Sequence, residues 1–161
     1  MANKIGAKIV LDGEAEYRKA LKNIGSEQKE LRSEMKLVSS QFSDQQNSLE
    51  ALTKKGEVLT KQYDAQSRKV EIYSKAVADA SAKQEEAGEK VDTLKSALDA
   101  ATKEMDEMAK SSDTSADALK EQQATIDDLK NKLLLAQDGY DKAQRSTNDW
   151  KTSLNDAQVN L

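Results

Sequence analysis

The chain has 161 residues with no Pro, no Cys and no His, one Trp and one Phe. Average usage of about 5% would place roughly eight prolines in this length, and with aromatics at 4% and charged residues at 34% the chain lacks the bulky side chains of an ordinary compact core. The missing His and Cys exclude Ser-His-Asp and Cys-based catalysis, N/S zinc sites and disulfides, and a net charge of −4 with interspersed signs argues against a nucleic-acid partner.

The carboxylates that remain need a pocket to do chemistry, and an elongated helical chain offers few. No catalytic residue, no metal and no cofactor is therefore expected. The longest apolar runs, near Ile9 to Leu11 and Leu133 to Ala136, fall far short of the ~20 residues that span a bilayer. Met1 to Leu11 has lysines but no long apolar stretch or cleavage site, so a soluble protein made in the cytoplasm without a signal peptide is expected.

In chain order, residues 1–25 differ from the rest. Ile5, Ala7, Ile9 and Leu11 alternate with Gly6, Lys8, Val10 and Asp12, a period of two that predicts a short strand. Such a strand also offers an edge to a partner. Asp12-Gly13 ends it, and Asp12 is placed to cap a short helix from Glu14 in which Tyr17, Ala20, Leu21 and Ile24 share a face. Gly25-Ser26 predicts a break, with Ser26 capping a new helix.

From Leu21 to Leu161 a heptad runs without interruption, and 32 of its 41 a and d positions are apolar against 37% for the whole chain. A repeat of 3.5 held in phase this long specifies a left-handed coiled coil, because a 3.6 period drifts by ~20° per heptad. The expected fold is thus all-α, a long coiled-coil helix or helices over 26–110 and 119–161. The candidate interface residues are Leu31, Met35, Val38, Phe42, Leu49, Leu52, Leu59, Tyr63, Val70, Tyr73, Val77, Val91, Leu94, Leu98, Met105, Met108, Leu119, Ile126, Leu129, Leu133, Tyr140, Trp150 and Leu154. Gln28, Gln45, Gln66, Gln84 and Gln122 dilute the seam, and Gly56, Gly88 and Gly139 each cost about 1 kcal/mol relative to Ala. At 111–118 Ser112 and Ser115 take successive core positions. Surviving phase favours continuous helix there; the alternative is a bend or loop, with a second helix capped by Thr114 or Ser115 folding back.

The outer face is laced with charge. Glu50 to Lys54, Glu57 to Lys61, Asp64 to Arg68 and Glu71 to Lys75 are acid-to-base i,i+4 pairs, each worth ~0.2 to 0.5 kcal/mol. The e positions, mostly Ser, Thr or Gln, do not select a partner, so an assembly of two or three copies is expected without a fixed stoichiometry.

Ile5 to Ile24 (IGAKIVLDGEAEYRKALKNI), followed by Leu31 to Lys36 (LRSEMK), resembles the amino terminus of tail tape measure proteins from long-tailed phages and prophages of Gram-positive bacteria. Asn148 to Asn155 (NDWKTSLN), with Ala157 and Leu161, is similar to a segment that follows the amino-terminal coil in the same proteins. The resemblance implies an amino-terminal fragment of a helical rod that sets tail length. Tail tube protein polymerises around such a rod, assembly chaperones coat it first, a terminator stops growth, and the rod leaves before DNA passes. It further implies residence in the lumen of the virion tail, and in the host cytoplasm during assembly. Three rivals are a structural coiled-coil spacer unrelated to phage tails, a disordered hydrophilic protein that folds on contact, and a membrane-surface amphipathic helix. The apolar seam weighs against disorder, and the 3.5 period against the membrane surface.

Overall fold

The computed structural model describes residues 13–161, and 90% of it is helical, with no strand among the described residues. The strand expected at Ile5 to Leu11 and the cap at Asp12 lie outside the described residues. Three helices follow: α1 (Glu14–Gln41), α2 (Leu49–Lys110) and α3 (Ala116–Val159).

Helix α1 starts after Gly13, whose φ of 87° is the left-handed conformation that glycine adopts without strain. Contrary to the expected break, α1 runs through Gly25-Ser26. A glycine inside a helix costs about 1 kcal/mol, less than the roughly 1.5 to 3 kcal/mol gained by burying each of the flanking Ile24 and Leu31. The Ser26 hydroxyl, rather than capping, donates back to the Lys22 carbonyl at 3.3 Å.

The expectation of one helix over 26–110 fails at 42–48. There the polar run after Phe42 folds through successive turns, in which Gln45 N–H donates to the Phe42 carbonyl at 3.1 Å and Ser48 N–H to the Gln45 carbonyl at 2.9 Å. Helix α2 restarts with the Ser48 hydroxyl accepting from Ala51 N–H at 3.2 Å. Continuity across 111–118 fails in the same way. Helix α2 ends at Lys110, and the Ser115 hydroxyl accepts from Ala118 N–H at 3.2 Å to cap α3. Ser-Leu-Glu-Ala at 48–51 and Ser-Ala-Asp-Ala at 115–118 are thus two copies of one helix start, each with an acid at its positive end.

The contacts fall into two units. In residues 80–147, the second part of α2 and the first part of α3 pair antiparallel. Gln122 Nε2 donates to the Ala101 carbonyl at 2.8 Å and to Glu104 at 3.2 Å, and Val91, Ala101, Ile126 and Ala143 are buried. In the other unit, α1 packs antiparallel on α2, and the end of α3 packs on both. Its core joins Ile24, Leu31 and Val38 to Val58 and Ala65, with Met35, Phe42 and Ile72 partly buried around them.

The shared capping pattern carries a prediction. Ser115→Ala should lower stability by about 1 kcal/mol, and Ser48→Ala similarly. Thermal unfolding followed by circular dichroism checks this, and a loss below a few tenths of a kcal/mol for both would contradict the capping role.

Candidate interaction surface

In the unit of residues 13–79 and 148–161, α2 uses two rows of side chains. One row, Ala51, Val58, Ala65 and Ile72 at intervals of seven, faces α1, and its first three members are 0%, 2% and 0% exposed. Cations on the same side reach across: Lys61 lies 3.3 Å from Glu34 and Arg68 2.6 Å from Glu27. Each pair is about half exposed, so each adds at most about 1 kcal/mol.

The other row is the a and d row of the heptad, and it meets α3. Tyr73 packs on Trp150 with ring centroids 6.0 Å apart, and Gln66 Nε2 donates to the Ala157 carbonyl at 2.6 Å. Gln66 also accepts from Gln28 Nε2 at 2.8 Å, so one buried amide ties all three helices together. These contacts run seven residues forward on α3 for seven backward on α2. In that register α3 ends, at Val159, level with residue 64.

The a and d row therefore lies uncovered at the start of α2. Leu49, Leu52, Leu59 and Tyr63 are 83%, 53%, 56% and 56% exposed. Gly56 sits among them, and a Cβ built on it would touch nothing within 4 Å.

The other residues expected at the interface divide between the two units. Leu31, Val38 and Trp150 are buried, and Met35, Phe42, Val70, Tyr73, Val77 and Leu154 half-buried, in the unit of residues 13–79 and 148–161. In residues 80–147, Val91 and Ile126 are buried, and Leu94, Leu98, Met105, Met108, Leu119, Leu129, Leu133 and Tyr140 half-buried. The Tyr140 ring lies over Gly88, 3.4 Å from where a Cβ would stand.

Trp150 is the best-packed aromatic. Tyr17 meets it edge-on at 6.5 Å and 77°, and the Arg18 guanidinium lies 5.5 Å from its ring centroid. The Tyr17 hydroxyl donates to the Asp79 carboxylate. That bond, then desolvation and the charge of Asp79, hold the phenol above its ordinary value.

Residues 80–147 also contain an open groove of about 670 Å³. Small residues at Ala87, Ala136 and Gly139 leave the room, and Lys83, Lys90, Lys132, Glu86 and Asp138 rim it. The mixed charges give no field selective for an anion or a cation. Among the described residues no three His, Cys, Asp or Glu side chains gather as a metal site, and no helix is long and apolar enough to cross a membrane.

No protein-family model, curated protein or solved structure matches this chain.

Two predictions follow from the rows and the tyrosine. At low protein concentration Leu31→Ala should cost about 2 to 5 kcal/mol, whereas Leu59→Ala should change stability by no more than about 0.5 kcal/mol. Equal losses in denaturant titrations would mean that α1 packs on the a and d row. Because the folded-state pKa of Tyr17 is raised, its contribution to stability is fully present below the unfolded phenol value near 10 and is lost as pH rises through the folded value. Tyr17→Phe should therefore melt lower than the parent at neutral pH and converge with it as pH rises through the raised folded value, in melting temperatures measured from neutral into alkaline pH.

Proposed function

We propose that this chain is the amino-terminal part of a phage tail tape measure protein, a helical rod that sets tail length and templates assembly of the tail tube. The observation that carries the reading is the pair of end segments, Ile5 to Ile24 and Asn148 to Asn155, joined by an uninterrupted heptad. An all-helical fold and a seam lined by small residues support it. In this reading the measuring form is a coiled coil of two or three copies in which α3 has swung away from α2, and each residue then adds 1.5 Å of rod. A seam in which alanine alternates with larger apolar residues lowers the cost of that opening, and it eases expulsion of the rod before DNA passes. The partners are the tube protein, assembly chaperones and the tail terminator, and the site of action is the tail lumen. The reading assigns the chain no reaction.

A second reading, a helical spacer or scaffold unrelated to phage tails, is favoured by one observation. Antiparallel pairing of α2 and α3 folds the chain back within each unit.

Tail length distinguishes the two. Deleting two, four and six whole heptads between residues 49 and 105 of the full-length protein should shorten tails by about 21, 42 and 63 Å, rounded to whole tube rings. Tails of unchanged length across the series, seen by electron microscopy, would overturn the ruler.

A further inference from the structure

We propose that the uncovered row at the start of α2 is a self-association surface, on which two copies of the chain cross antiparallel about a two-fold axis at Gly56. This proposal does not rest on the tail reading.

The row continues an interface the chain already makes. From Gln66 onward the same a and d positions are covered by α3, and the exposed stretch begins where α3 ends. A helix is thus the natural occupant of this row. It must also be an uncharged one, because Leu52, Thr53, Gly56, Leu59, Thr60 and Tyr63 carry no charge. A second copy presents such a row. The flanking Lys54, Lys55 and Lys61 nearly cancel Glu50 and Glu57, so two copies meet with little net repulsion.

Gly56 locates the crossing. Glycine is the poorest helix former after proline, and here it stands inside α2 without a positive φ. The chain's own fold has no use for the missing side chain, since a Cβ there meets nothing. A second backbone crossing at close range does have a use for it. A two-fold axis perpendicular to α2 at this point makes the contact isologous. It also sets Leu52 of each copy against Leu59 of the other, closing the apolar surface on both sides of the glycine.

Sedimentation velocity on the full chain between about 1 and 200 µM should show a concentration-dependent monomer–dimer equilibrium. Replacing Leu52→Lys together with Leu59→Lys should leave a monomer throughout, with unchanged circular dichroism. Gly56→Gln should raise the melting temperature at low concentration, because it improves the helix, and weaken dimerisation at least about tenfold. These opposite effects separate a docking surface from non-specific stickiness. A wild-type chain that stays monomeric, or association that survives either replacement, would overturn the proposal.

Discussion

Packing through alanine is the constraint on which the rest of the structure depends. Among the described residues, half of the buried apolar ones are alanine, at 51, 65, 76, 80, 101, 143 and 157. Such rows let helices approach toward the near end of the usual 8 to 10 Å interaxial range, but each alanine removes little apolar area from water. With little hydrophobic gain per turn, polar groups on the seam cannot be left unsatisfied, since each would cost about 1 to 3 kcal/mol. Gln66 and Gln122 meet this demand by donating to carbonyls of the facing helix. Among the described residues no buried side-chain nitrogen or oxygen lacks a partner.

The helical class is legible in composition and period, but the breaks are not. Phe42 and Leu49 are both a positions one heptad apart, and the loop between them uses up that heptad. Met108 and Leu119 stand at an ordinary seam spacing across the second turn. Both loops therefore leave the phase intact, and phase alone reads them as helix. The local chemistry was informative in both places, as Ser-Asp-Gln-Gln-Asn-Ser and Ser-Ser-Asp-Thr-Ser are runs of residues that bond to their own backbone. Gly25 misleads in the opposite direction, because burial of Ile24 and Leu31 holds the helix through it.

The a and d row is legible as a row, and what covers it is not. Periodicity marks Leu49, Leu52, Leu59 and Tyr63 as strongly as it marks Leu31 and Trp150, yet the first four are exposed. The row facing α1 carries a weaker pattern: it alternates Ala51 and Ala65 with Val58 and Ile72, and two branched residues fourteen apart do not establish a period. Its signal lay in the charges. Lys61 and Arg68, readable as links in an i,i+4 ladder, bracket Ala65 and reach Glu34 and Glu27 on α1.

Trp150 gives the chain an optical reporter of its own. It is the single tryptophan, and it sits near the end of α3 between Tyr17 of α1 and Tyr73 of α2, beneath the Arg18 guanidinium. Any event that lifts the end of α3 from the other two helices removes three neighbours from one indole ring and admits water to it. Its emission should then shift to the red while helix content holds, so docking of α3 can be followed by fluorescence in unlabelled protein.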